Sequence, residues 1–393
     1  MVDDITKIKW IYFFKSLWFF APILTLFYLS RELSLFEIVT LESILLGAIL
    51  VAEIPTGFIA DRIGRKNALF FLTGLYIIGN IITIYAHAFW IFAIAQVLFG
   101  IAIAFGSGAI EALVYDNLKL RKKENQMTKV WGNIQAYSLI AGFFASIIGG
   151  FLARNESPEV YVFLLWLYVI GAGISFIIAF FIKDKHSDAQ ASKSQKEVFK
   201  QGVHLLINNK SLRMILLLNM ITMPFYHVMK FLIQPHLKNT GVPVMFFGLI
   251  VGAAMLIEAF SSQYVHKIEA RLGMKKTVLL ATITPGLIYL TMGLIFHWSV
   301  AVIGYIIFAG ASYMRTPLFA QYTNIHLPTK NRATLLSFIS MAITVYLIIM
   351  RLIIGKVADL GIPYAFLLMG TVVIIGSVFL RIDERQLKTT EHQ

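Results

Sequence analysis

The chain has 393 residues, 58% of them hydrophobic and only 14% charged, with a formal net charge of +13 and no cysteine. Soluble domains average roughly 45–50% apolar and about 25% charged residues, so a soluble globular protein of this length could not bury so much apolar surface, and disulfides and thiol-ligated metals are excluded. The positive balance fits either a nucleic-acid binder or a membrane protein with basic loops on one side, and the distribution of the charges separates the two.

In chain order, apolar runs long enough to cross about 30 Å of hydrocarbon at about 1.5 Å per residue are predicted near 8–30, 35–60, 66–86, 88–117, 126–153, 159–182, 211–237, 243–266, 275–296, 299–325, 331–356 and 362–381. The first run is too long for a cleavable signal peptide and lacks a small-residue cleavage site, so it is read as a span. Outer-membrane strands of about 10 residues with alternating polarity are not seen. The predicted class is an all-α integral membrane protein of twelve transmembrane helices. Lysines and arginines concentrate at or near the termini and the even-numbered loops; the exceptions are Arg31, Arg154, Lys238 and Lys356 outside, and Lys15, Lys230, Arg315 and Arg351 within spans. By the positive-inside rule both termini are expected in the cytoplasm, with the chain in the cytoplasmic (inner) cell membrane. Basic residues scattered among loops do not make a nucleic-acid surface.

The long polar stretch after span six divides the chain into an expected N-terminal half at 1–183, a cytoplasmic linker at 184–210 and a C-terminal half at 211–393. Within the linker Phe199, Val203 and Leu206 recur at helical spacing, which predicts an amphipathic surface helix. Two echoes relate the halves. Ala270-Arg271-Leu272-Gly273-Met274-Lys275-Lys276 falls between spans eight and nine as Asp61-Arg62-Ile63-Gly64-Arg65-Lys66 falls between spans two and three, and Gly149-Gly150 in span five is matched by Gly355-Lys356 in span eleven.

The segment Gly57-Phe58-Ile59-Ala60-Asp61-Arg62-Ile63-Gly64-Arg65-Lys66 supplies glycines for tight turns, an acid for a helix start and basic residues for a cytoplasmic surface. It resembles motif A of the major facilitator superfamily. The resemblance implies two pseudo-symmetric six-helix bundles, with parallel repeats and a substrate site near mid-membrane, working as a secondary transporter by alternating access. It further implies that Gly57 lets helix 2 approach helix 11, that Asp61 caps helix 11, and that Arg65 pairs with Asp116 at the cytoplasmic end of helix 4; with Arg62, Gly64 and Lys66 these would form a conformational latch. Other family patterns are degraded. Gln96 stands where an arginine usually precedes the glycine at Gly100, and the run Ala145 to Gly150 lacks the Gly-Pro of the antiporter motif, which weakens a direct reading as a drug/proton antiporter.

Ionisable residues read as lying inside spans include Lys15, Glu42, Glu53, Glu111, Asp116, Lys230, Glu258, Arg315 and Arg351. A charge at mid-helix costs roughly 2.5–3.5 kcal/mol on insertion scales, so each is expected to face the bundle interior, water or a partner. Lys15, Glu53 and Glu111 are placed together in the cytoplasmic half of the first bundle, as proton-coupling candidates or as a fixed ion pair of Lys15 or Arg65 with an acid. Polar stripes at three-to-four-residue spacing mark candidate pocket walls: Asn219, Thr222, Tyr226, Lys230 and Gln234 on span seven, and Ser312, Arg315, Phe319 and Tyr322 on span ten. Span one adds Lys15 and Trp18, span four Gln96, Ser107 and Glu111, and Glu258 is a further candidate beside Arg315. Interhelical packing is the competing reading for the aromatics.

No Walker segment, metal-ligand spacing or nucleophile elbow occurs, so neither an ATP-driven pump nor an enzyme is expected. The expectation is proton-coupled efflux of a small molecule, with no cofactor beyond the proton gradient and with substrate, protons and the lipid bilayer as partners of a monomer. Uptake of a sugar, organic acid or other metabolite is the alternative, and a non-transporting sensor or scaffold on the same fold a further one.

Overall fold

The computed structural model describes residues 3–182, 210–325, 327 and 332–380. The predicted amphipathic stretch with Phe199, Val203 and Leu206 lies outside these, as does the expected linker up to its last residue, Lys210. Contacts divide the chain into two compact units, Met1–Gln190 with Pro243–Gly252, and Ala191–Val242 with Ala253–Gln393. The described residues are helical and contain no strand, and eleven helices are long and apolar enough to cross a membrane.

In the first unit the helices are α1 (Asp4–Lys15), α2 (Leu24–Ser30), α3 (Leu35–Ile63), α4 (Arg65–Tyr85), α5 (Phe89–Gly106), α6 (Ala109–Lys119), α7 (Met127–Leu152) and α8 (Pro158–Phe180). Local chemistry places their ends. Ser34 and Glu37 form a reciprocal capping box at the start of α3, and Ser157 caps α8, where Pro158 occupies a first-turn position needing no amide donor. The predicted first span is corrected. It is broken between Lys15 and Ala21: the ladder of α1 ends at Ser16, and a short helical turn at Ala21–Ile23, with Pro22 in a first-turn position that needs no amide donor, leads into α2. Predicted span four is likewise divided into α5 and α6 at Ser107-Gly108, where Gly108 has φ +72°.

The break in span one is accommodated by glycines on neighbouring helices. A Cβ at Gly149 on α7 would lie 1.8 Å from the Phe19 carbonyl oxygen, and one at Gly171 on α8 2.9 Å from that of Phe14. Gly150 has a similar role: its added Cβ would lie 2.5 Å from the Gly248 nitrogen, which is why Pro243–Gly252 packs with this unit. The apolar core beneath α1 is built from Ile5, Ile8, Ile11, Leu69, Leu72 and Leu113.

The remaining helices are α9 (Lys210–Asn239), α10 (Phe247–Leu272), α11 (Met274–Leu294), α12 (Trp298–Ile325), α13 (Arg332–Leu360) and α14 (Ile362–Phe379). Of these, α10 begins in the first unit and continues in the second. In the second unit α11 packs on α12 and α14, and α9 packs on α12, α13 and α14. The echo between the halves extends to backbone geometry. Gly64 joins α3 to α4 with φ +92° and ψ 153°, and Gly273 joins α10 to α11 with φ +78° and ψ 159°. Each donates to the carbonyl four residues back, Ala60 and Glu269, in a conformation that side chains with a Cβ disfavour.

Candidate functional site

Motif A is organised around Gly64. Its turn sets Arg65 at the start of α4, from which Nη1 donates to the Ala112 carbonyl at 2.8 Å and to Asp116 Oδ2, forming a part-buried ion pair with α6. Lys66 donates to the Phe180 carbonyl at 2.8 Å, and the exposed Arg62 guanidinium lies 4.2 Å from the Phe58 ring centroid. A Cβ at Gly57 would meet no described atom within 4 Å. The side chain of Asp61 is outside what the structure describes.

Lys15 ends α1, where an ammonium meets the negative end of the helix dipole. Its Nζ lies 4.8 Å from the Tyr12 ring centroid and 5.9 Å from that of Tyr76, so aromatic faces are what it meets. The expected ion pair with Glu53 or Glu111 is corrected, since neither acid lies within 4.0 Å of Lys15 among the described residues. Glu53 is exposed on α3; Glu111 is exposed in the first turn of α6, a position that the helix dipole itself favours for an acid. Tyr12 was recoverable from its i, i+3 spacing to Lys15, whereas Tyr76 comes from another helix and leaves no local signal. Trp18 is 42% exposed in the break of span one, and Ser107 is exposed at the end of α5. Gln96 is corrected from pocket wall to packing residue: it is buried and donates to the Tyr28 hydroxyl at 3.2 Å.

In the second unit the stripe on α9 meets three different environments. Tyr226 donates from its hydroxyl to Glu258 Oε1 at 2.9 Å, and the exposed Lys230 ammonium lies 4.8 Å from the Tyr226 ring centroid. The Tyr226 ring is held by near-parallel contact with Phe308 and an edge contact with Tyr313. Glu258 is half-buried and has no ion-pair partner within 4.0 Å among the described residues. Deeper, Asn219 and Thr222 turn to Arg315, whose Nη1 donates to Thr222 Oγ1 at 2.8 Å and to the Asn219 carbonyl at 3.4 Å.

The stripe on α12 is real as a face but corrected as a pocket wall. Phe319 and Tyr322 belong to a closed core with Ile215, Leu218, Val265 and Met314, and Tyr322 donates to Glu269 Oε1 at 2.6 Å. Arg315 is only 6% exposed and lines a small cavity within its own unit. The polar groups of this wall are the exposed Lys230, the half-buried Glu258 and the buried Tyr226, with half-buried Tyr313 as a neighbour that the sequence stripes do not mark. This set can donate to, accept from and stack on a small molecule.

A family model described as the Major Facilitator Superfamily matches residues 11–345. The chain is 24% identical over 214 residues to an uncharacterized transporter of Buchnera aphidicola subsp. Schizaphis graminum (strain Sg), over 54% of this chain and 51% of that protein, so the match spans about half the length of this curated relative. Its fold is similar to the crystal structure of the nucleoside transporter NupG, with TM-score 0.80 and 13% identity over 99% of this chain and 100% of that one. It is also similar to the peptide transporter POT in complex with sulfate, with TM-score 0.77 and 11% identity over 98% and 96% of the two chains. A D-xylose-proton symporter has TM-score 0.74 and 12% identity over 98% of each chain. At these identities the likeness is one of fold.

Proposed function

Since this chain belongs to the major facilitator superfamily, we propose that it moves a small molecule across the cell membrane by alternating access, coupled to protons and with net export. The observation that carries the coupling is the arrangement at Glu258: a half-buried carboxylate inside a membrane helix that accepts from the Tyr226 hydroxyl at 2.9 Å, with the Lys230 ammonium 4.8 Å from the centroid of the same aromatic ring. Acids within membrane helices are costly and mark proton and ion pathways. Protonation of Glu258 would remove the charge that the Tyr226 hydroxyl and the Lys230 ammonium stabilise, so proton binding and the geometry of this wall are linked. The aromatic surfaces of Tyr226 and Tyr313 beside charges of both signs suit a substrate with an apolar body and a polar or charged group. Both termini are taken as cytoplasmic, which the distribution of lysines and arginines supports, and the working unit as a monomer.

Import of a polar metabolite is the second reading. It is favoured by the fold shared with a nucleoside transporter and a D-xylose-proton symporter. One experiment separates the two. Compounds that stabilise the purified protein in a thermal-shift screen are offered to proteoliposomes under opposite pH gradients. Accumulation into vesicles with an acidic lumen indicates antiport and export; accumulation driven by an acidic exterior indicates symport and import. In either case Glu258→Gln keeps the hydrogen-bonding shape and removes the titrating charge, so it should lose gradient-driven accumulation while retaining exchange. Wild-type accumulation by that variant would remove Glu258 from the coupling role.

A further inference from the structure

Arg315 is buried deep in the second unit without a carboxylate. The guanidinium has five N–H donors and a charge that it cannot shed, while the described residues offer it the Thr222 hydroxyl and the Asn219 carbonyl, both to Nη1. No acid of the described residues lies within 4.0 Å of it. Beside it is a cavity of about 10 Å³, whose wall includes Arg315, Thr222, Ser312 and Tyr289 among apolar side chains such as Pro285 and Phe308. Tyr289 is 1% exposed, and its hydroxyl has no hydrogen-bond partner among the described residues. Two unsatisfied demands therefore meet at one place: a buried positive charge without a counter-charge, and a buried hydroxyl without a partner, each costly in an apolar interior.

The geometry points to a monatomic halide site in this cavity, with Arg315 and Tyr289 as its ligands and chloride as the natural occupant. The volume corresponds to about one water-sized sphere, which excludes a phosphate, a carboxylate metabolite or any transported substrate of ordinary size. Charge and donor type favour an anion over water. The Ser312, Thr222 and Tyr289 hydroxyls could accept the hydrogens of a water, but a neutral water would leave the guanidinium charge uncompensated. A halide only accepts, takes N–H and O–H donors together, and neutralises the guanidinium where no side chain does so. This site is separate from the Glu258 wall and would act on the stability of the bundle rather than on the proton.

The test uses the purified full chain in detergent without transport substrate, titrated with sodium chloride, bromide or gluconate at fixed ionic strength and pH. Chloride and bromide should raise the thermal midpoint saturably, on the order of 2 °C at ten times the dissociation constant, and gluconate should not. Tyr289→Phe removes one hydroxyl from the site and should weaken the halide dissociation constant about fivefold, while Arg315→Gln should abolish the response. Because Arg315→Gln can fail to fold, bromide anomalous scattering from wild-type crystals gives an independent reading, with a peak expected within hydrogen-bonding reach of Arg315 and Tyr289. Equal effects of chloride and gluconate, an unchanged dissociation constant in Tyr289→Phe, or a bromide peak elsewhere would each overturn the assignment and leave the cavity to water.

Discussion

Replacing Gly149 by alanine adds one methyl group where the backbone of span one crosses α7. The added carbon would lie 1.8 Å from the carbonyl oxygen of Phe19, 2.7 Å from its carbonyl carbon and 3.1 Å from its Cα. A carbon and a carbonyl oxygen sit comfortably at about 3.3–3.6 Å, so the two backbones must separate by about 1.5 Å. The opposing atoms are main chain and cannot swing aside as a long side chain would. Overpacking of this kind costs about 1–3 kcal/mol, and the helical preference of alanine over glycine returns about 1 kcal/mol; with the clash at the upper end of its range the net loss is about 2 kcal/mol. The assay is thermal unfolding of the detergent-purified protein, followed by tryptophan fluorescence, with Gly173→Ala as the control. Gly173 lies within α8 and its added Cβ would meet nothing within 4 Å, so that variant should keep or slightly raise the midpoint. A fall of about 2–3 °C is expected for Gly149→Ala. If the two alanine variants are equally stable, the close crossing of α7 over the broken span is wrong.

Two further predictions concern charges outside the second unit. Arg65 and Asp116 form a part-buried ion pair between α4 and α6, so a double-mutant cycle with Arg65→Ala and Asp116→Ala should show a coupling of about 1 kcal/mol in thermal unfolding, and strictly additive losses would refute the pairing. Asp3 accepts from Arg121 at 2.7 Å and caps α1 through the Ile5 amide, and the hydrogen bond from Arg121 holds its carboxyl below the ordinary value of 3.8. Its folded value is thus below its unfolded one, so the stabilisation is fully present above about pH 4 and is lost as the pH falls through the folded value. Asp3→Asn keeps the cap and should lower stability by about 0.5 kcal/mol at pH 7 for so exposed a pair. The gap between variant and wild type should close as the pH falls through the lowered folded value, and a gap that stays constant with pH would contradict the mechanism.

Much of the fold is legible in the chain because membrane insertion reads local composition: a run of about 20 apolar residues must satisfy its own backbone, and a helix does so without reference to the rest of the protein. The turn at Gly64 is legible for the same reason, since its combination of φ +92° and ψ 153° lies in a region that essentially only glycine adopts, and Gly273 repeats it. Helical periodicity also groups Ser312, Arg315, Phe319 and Tyr322 correctly on one face.

What periodicity does not contain is the neighbour that a face meets. The α12 face turns into its own unit, where Tyr322 reaches Glu269 and Arg315 reaches Thr222, so residues of the type that would line a substrate cavity instead fill a core and a small internal site. Tyr226 and Glu258 are 32 positions apart and share no pattern; only the packing of α9 against α10 brings hydroxyl to carboxylate. Lys15 likewise meets Tyr76 of another helix, and no acid within 4.0 Å among the described residues. The sequence by itself determined the membrane class, the helices and the glycine turns, because these follow from backbone and solvent. The tertiary structure alone decided which charges are paired, exposed or buried without a counter-charge, because that depends on contacts between distant segments, whose energies exist only once the helices have packed.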